Sequence, residues 1–285
     1  MSTNCFRERP EDLEKWDVHF ALPTWQRPQR KEWDVLFIAV AGKGGTGKTT
    51  FVALVIKHLL KAGKRPILAV DADANANLAQ ALGIDAPDSI ADIMRAVSED
   101  RDSIPAGMTK DRYVAYRIHQ SLAEGKDVDL LVMGGPEGPG CYCYVNNLLR
   151  SYIKELAGNY RYVVMDNEAG LEHLSRRTSQ NVEVLFILSD ATVKGVRSAG
   201  RIRELADSLK LGVKNKYLVI NRARPDDIKI LEPEIAGTGL EYAGMIPADP
   251  AVAEYDLRSF PLVSLPDDSP AVAAAGEILT RAKVL

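Results

Sequence analysis

The stretch Gly42-Lys43-Gly44-Gly45-Thr46-Gly47-Lys48-Thr49-Thr50 follows an apolar run at residues 35–40 and opens an apolar-periodic segment that reaches Leu60. Its spacing is glycine, four residues, then Gly-Lys-Thr, in the strand-then-helix setting that a phosphate-binding loop requires. Glycines let the backbone curl so that successive N–H groups and the helix N-terminus face the phosphates. On this reading Gly44, Gly45, Thr46 and Gly47 form the cradle, and Lys48 lies against the β and γ phosphates. The Thr49 hydroxyl is placed to ligate Mg²⁺, and that of Thr50 to touch the α-phosphate.

Working outward, apolar runs at 66–70, 128–133, 162–165, 184–188, 217–220 and 242–246 join the one at 35–40. They alternate with helical patterns at 48–62, 75–82, 111–123, 145–157, 192–209 and 269–283. The alternation predicts an α/β fold with a doubly wound, mostly parallel sheet flanked by helices. The runs are nearly continuous in Val, Ile and Leu, as strands covered on both faces are. A chain of 285 residues, 46% of them hydrophobic, suits one large nucleotide-binding domain, expected at 35–285. Residues 1–34 hold all three tryptophans and read as an N-terminal extension that packs on the domain or on a partner.

Thirty-six basic residues against 39 acidic ones leave a net charge of −3, which supplies no global field to draw in nucleic acid or an anionic membrane. No run approaches the roughly 18 apolar residues of a membrane span, and the N-terminus reads as no leader, so the cytoplasm is expected.

Asp71 and Asp73 close the second apolar run with the two-residue spacing that sends both side chains to one side of an extended chain. Carboxyl ends of strands form the ligand edge of such sheets. Asp73 is therefore expected to position the attacking water, and Asp71 to join the Mg²⁺ shell. Asp166 ends its strand as a Walker-B aspartate does, holding the metal through water, and Asn167-Glu168-Ala169-Gly170 follows as a candidate γ-phosphate sensor. Guanine recognition uses Asn-Lys-x-Asp, whereas this chain has Asn221-Arg222-Ala223-Arg224. An arginine cannot accept the purine-edge protons, so ATP and ADP are the expected nucleotides. Asn221 and the Ile246-Pro247-Ala248-Asp249 loop, through Pro247 and Asp249, are the expected base contacts.

Lys43 stands at the start of the loop, from where its own γ-phosphate is hard to reach. The loop resembles the deviant Walker motif of the MinD/ParA/nitrogenase-iron-protein class. The resemblance implies that Lys43 crosses to the nucleotide of a second subunit and acts there as an arginine finger does elsewhere. A homodimer follows, with Lys43, Lys48 and Asp73 as the catalytic set.

Cysteine occurs only at positions 5, 141 and 143. Cys141 and Cys143 project two soft ligands from one Gly- and Pro-rich loop, too few for a four-coordinate site. Across a two-fold axis, two pairs supply four sulfurs to one ion, Zn²⁺ if tetrahedral or Ni²⁺ if planar. The segment Met133-Gly134-Gly135-Pro136-Glu137-Gly138-Pro139-Gly140-Cys141-Tyr142-Cys143, together with the run from Asp166 to Thr178, closely resembles the CooC-type ATPases that mature nickel carbon monoxide dehydrogenase. The resemblance implies an ATP-gated chaperone that passes nickel to an apo-enzyme, carbon monoxide dehydrogenase or alternatively acetyl-CoA synthase. Two positions depart from the pattern. Gly135 replaces a usual arginine, which bears on docking, and Ala74 replaces a proline after Asp73, which bears on water positioning.

His173, on the segment after Asp166, reads as a structural hydrogen bonder, and Arg176 and Arg177 as ties to neighbouring carboxylates. Two other functions share the loop. One is an iron-protein-like electron-transfer ATPase with an iron–sulfur cluster between subunits; the other is a MinD/ParA-like positioning ATPase.

Overall fold

The computed structural model describes residues 35–99, 104–134, 156–168, 182–209 and 212–285. Strand β1 (Leu36–Gly42) lies in the middle of a seven-stranded sheet and is buried along nearly its whole length. The other strands are β2 (Ile67–Ala72), β3 (Val128–Val132), β4 (Tyr162–Asn167), β5 (Val184–Asp190), β6 (Asn215–Asn221) and β7 (Glu241–Ile246). Their order is β3-β2-β4-β1-β5-β6-β7, and every neighbouring pair is parallel. All seven apolar runs of the sequence coincide with strands.

Alternation along each strand divides the core into two layers. Ile38 and Val40 join Ala69, Val164 and Phe186 on one face. That face is covered by α1 (Lys48–Lys61), α2 (Leu78–Leu82) and α8 (Pro270–Arg281). Phe37 and Ala39 join Leu68, Val70, Val163 and Leu185 on the other. There the cover is α3 (Ile90–Glu99), α4 (Lys110–Gln120), α5 (Val193–Ser208) and α6 (Pro225–Gly237). A short α7 (Pro250–Leu257), none of whose residues is buried, and a 3-10 turn at Leu262–Ser264 complete the described elements.

Helix α1 buries Phe51, Val52, Leu54, Val55, Ile56 and Leu59, and it stops where the N–H groups of Gly63 and Lys64 return to the carbonyls of Leu60 and Leu59. Helix α2 starts three residues later than its sequence pattern predicts. Asp73 Oδ1 accepts from Asn75 N at 2.9 Å and Asp71 Oδ2 from Leu78 N at 2.8 Å, which holds residues 73–77 in a turn. Helices α3, α6 and α7 are absent from the sequence reading. The helix expected at 145–157 falls mostly outside the described residues.

The carboxyl ends of β2 and β3 are fastened together. Met133 N donates to Asp71 O at 2.8 Å, and Met133 O in turn accepts from Ala91 N of α3 at 3.1 Å. At Gly134 the chain takes φ 71° against the start of α3, where an added Cβ would stand 2.5 Å from Ser89 Oγ. Only glycine suits both the conformation and the space.

Candidate nucleotide site

Five strands deliver residues to one place beyond their carboxyl ends, where β1 has neighbours on both sides and the order of connection reverses. From β1 comes the loop Lys43 to Gly47. Thr46 Oγ1 donates to Lys43 O at 2.8 Å, and Asn221 Nδ2, from the end of β6, donates to Thr46 O at 2.8 Å. The Arg222 guanidinium donates to Gly45 O. A planar trans peptide points its C=O and N–H in opposite directions, so holding the Thr46 carbonyl aims the Gly47 N–H away from Asn221. Gly47 itself has φ 87° and leaves no room for a side chain, since a Cβ there would collide with Asn221 Nδ2.

Helix α1 then begins with no side-chain cap and no acidic residue in its first turn. The N–H groups of Lys48, Thr49 and Thr50 lack intrahelical acceptors, and the helix dipole adds positive potential there. This end is suited to an anion. Lys48 is 7% exposed.

Beneath the loop lie two buried carboxylates, Asp71 and Asp166, in register on neighbouring strands. Thr49 Oγ1 donates to Asp166 Oδ2 at 2.5 Å, while Asp166 Oδ1 is buried with no hydrogen-bond partner among the described residues. Burial pushes the Asp166 carboxyl up to about 7, with the nearby Asp71 charge adding to the rise and the Thr49 hydroxyl and Lys48 opposing it. An orphaned acceptor beside a threonine hydroxyl and a lysine fits Mg²⁺ or its bound water.

Asp71 behaves differently. Its Oδ1 accepts from Asp73 N at 3.0 Å and its Oδ2 from Leu78 N at 2.8 Å, so both oxygens hold the β2–α2 turn. Burial pushes this carboxyl up to about 6 despite those bonds. Each Asp71 oxygen thus holds one backbone N–H of the turn, and the side chain lies outside the cavity lining.

A cavity of about 620 Å³ covers the loop and collects most of the expected residues. Gly44, Gly45, Gly47, Lys48, Thr49 and Thr50 line its phosphate end, with Asp73 facing them. Thr46, within the loop, is buried, and Lys43 is exposed; both lie outside the cavity lining. Phe51, Leu54, Ile246, Pro247, Val252 and Ala253 give the lining its apolar part.

Asn221 and Asp249 line the cavity too, yet their polar groups are engaged elsewhere. Asn221 holds Thr46 O and accepts from Arg222 N at 2.9 Å. Asp249 caps α7 through Ala251 N at 2.8 Å and the start of α8 through Ser269 Oγ at 2.5 Å and Ala271 N at 3.0 Å. Burial opposes ionisation of Asp249, but these bonds hold its carboxyl below the usual range. Both residues therefore hold neighbouring backbone while lining the cavity. Sequence reasoning misses Asn75, Asn77, Arg222 and Asp256, which also line the cavity, and leaves Glu168 a sensor without placing it there. The Asp256 carboxylate has no hydrogen-bond or ion-pair partner among the described residues, one helical turn from Val252 in the same lining.

Cys141, Cys143, His173, Arg176, Arg177 and Gly135 lie outside the described residues, as does the extension at 1–34. Among the described residues no group of three or more His, Cys, Asp or Glu could hold a metal ion.

The raised carboxyls predict an unusual pH profile. A carboxyl whose folded value is raised favours the folded state fully below its unfolded value near 4, and that contribution disappears as pH rises through 6 for Asp71 and 7 for Asp166. The nucleotide-free, Mg²⁺-free protein should therefore be more stable at pH 5 than at pH 8, by about 2–4 kcal/mol. Thermal unfolding at the two values, with Asp166→Asn as the variant that removes the larger share of the difference and leaves that of Asp71, checks this.

The profile of the CobQ/CobB/MinD/ParA nucleotide binding domain matches residues 37–262. An uncharacterised ATP-binding protein of Methanocaldococcus jannaschii is 45% identical over 248 residues, 86% of this chain and 98% of that one. The carbon monoxide dehydrogenase accessory protein CooC of Rhodospirillum rubrum is 30% identical over 231 residues, 77% of this chain and 86% of that one. Among solved structures, the MinC:MinD cell division protein complex of Aquifex aeolicus superposes with a TM-score of 0.66 at 22% identity, covering 88% of this chain and 97% of the other.

Proposed function

The chain belongs to the CobQ/CobB/MinD/ParA nucleotide-binding family, and from that premise we propose that it is a dimeric ATPase whose nucleotide cycle delivers nickel to an apo-enzyme, with carbon monoxide dehydrogenase as the preferred client. The observation that carries this reading is Lys43. Gly44, Gly45 and Gly47 line the cavity and Thr46 is buried, while this lysine stands exposed outside the lining, free to reach the nucleotide of a second protomer. Two protomers held that way bring two Cys141–Cys143 pairs to one assembly, and four thiolates suit a soft divalent ion as cargo.

Within each protomer, the first turn of α1 and Lys48 stabilise negative charge on the transferring phosphoryl group, and Lys43 of the second protomer adds to it. Asp73 positions the attacking water. Mg²⁺, when bound, would neutralise phosphate charge, with Thr49 and Asp166 the groups that would hold it.

Similarity to the CooC protein over 77% of this chain supports the maturation reading. Likeness to MinD at 22% identity is one of fold. A positioning ATPase needs an amphipathic face to lay on a membrane or a basic patch for DNA. Here the apolar face of α8 is already buried, through Ala271, Val272, Ala275, Ile278 and Leu279, and no described helix is long and apolar enough to cross a membrane.

Metal stoichiometry in nucleotide-free, ADP-bound and ATP-bound protein tests the proposal. One Ni²⁺ or Zn²⁺ per two protomers is expected, and Cys141→Ser should lose it while ATP hydrolysis persists. Unchanged nickel stoichiometry in that variant would sink the thiolate site. Iron–sulfur absorption in anaerobically purified protein would move the assignment to electron transfer.

A further inference from the structure

Arg222 has a left-handed backbone, φ 55°, a region that arginine occupies at a cost and glycine occupies freely. Strain of this kind persists where the surrounding structure holds it, and it clusters at binding sites. Here the side chain crosses from the end of β6 to the β1–α1 loop and donates to Gly45 O. Its neighbour Asn221 donates to the next carbonyl, Thr46 O, at 2.8 Å, and the Arg222 N–H donates back to Asn221 Oδ1 at 2.9 Å. Two consecutive residues of one strand end thus grip two consecutive carbonyls of the phosphate cradle. Arg222 is exposed, lines the cavity, and pairs with no carboxylate among the described residues.

We propose that Arg222 is a positioning residue of the nucleotide site: its strained backbone carries the guanidinium to the Gly45 carbonyl, which fixes the cradle before nucleotide arrives. The proposal rests on the reading of the cavity as the ATP site. A fixed cradle loses no freedom on binding, and preorganisation of this kind raises affinity without any contact to the reacting atoms. The charge also matters, because a guanidinium donor makes a stronger bond to a carbonyl than a neutral one does.

Glycine at this position separates the two halves of the idea. Arg222→Gly relieves the backbone and deletes the grip, so stability and affinity should part company. We expect a nucleotide-free melting temperature within about 2 °C of the parent protein or above it. ATP affinity by calorimetry should fall on the order of 10- to 100-fold, the loss of one charge-assisted hydrogen bond. In steady state the change should fall on KM more than on kcat. Arg222→Lys keeps the charge with a single point donor and should recover part of the affinity. If Arg222→Gly binds ATP as tightly as the parent, the grip has no role. If its stability and affinity fall together, Arg222 is a structural residue only. A parent protein that binds no ATP would remove the site reading instead, which keeps the two failures apart.

Discussion

Gly47→Ala should bind ATP on the order of 10²–10³-fold more weakly than the parent protein, from two costs that act at one atom. With φ at 87°, the alanine must hold a left-handed backbone, which costs about 1–2 kcal/mol. Its Cβ also takes the position of Asn221 Nδ2, which breaks the bond to Thr46 O and leaves buried groups unpaired, a further cost of about 1–3 kcal/mol. The second cost can be isolated. Asn221→Ala clears the space, so the double variant should lose less than the sum of the single losses, and calorimetric titration of all four proteins measures the coupling. Affinity for Gly47→Ala within a few-fold of the parent would mean that the cradle is not built on this contact.

Asp73→Ala should still bind ATP but hydrolyse it at least about 100-fold more slowly, the scale of a lost proton-handling group. Asp71, Asp73 and Asp166 divide their oxygens differently. Both oxygens of Asp71 hold backbone, and one oxygen of Asp166 holds Thr49. Asp73 takes the Asn75 N–H and side-chain amide at 2.9 Å each, both on Oδ1, and it alone of the three lines the cavity. Its second oxygen is the acceptor available to a water beside the phosphates. Asp73→Asn preserves an Oδ1 for the turn while removing the charge, so it separates turn from chemistry. Single-turnover hydrolysis at the parent rate in Asp73→Asn would take the water-positioning role away from this residue.

The strands were legible because burial on both faces writes itself as unbroken apolar runs, as in residues 67–70 and 162–165. The phosphate loop was legible because its glycines answer a local requirement. Helices fared less well. Helix α6 carries prolines at 225 and 233 and has only Leu231 and Ile235 buried, which hides its period. Helix α7 buries nothing and so has no apolar stripe to display. Helix α3 could have been found, since Ser89 three residues before Asp92 is a start signal and Ile90, Ile93 and Val97 share a face. What sequence could not supply is the division of labour among polar groups. Asn221 and Asp249 line the cavity, yet which atoms of an amide or carboxylate are already taken depends on loops far apart in the chain.

The bond from Met133 N to Asp71 O joins the strand that ends in the aspartate turn to the strand that leads, eight residues on, toward Cys141. The aspartate turn beside the cavity and the departure of the chain toward Cys141 therefore share one backbone hydrogen bond. Gly134, the residue next to that bond, is the point at which a side chain of any size would press on Ser89, so the path out of β3 is restricted to glycine at its first step.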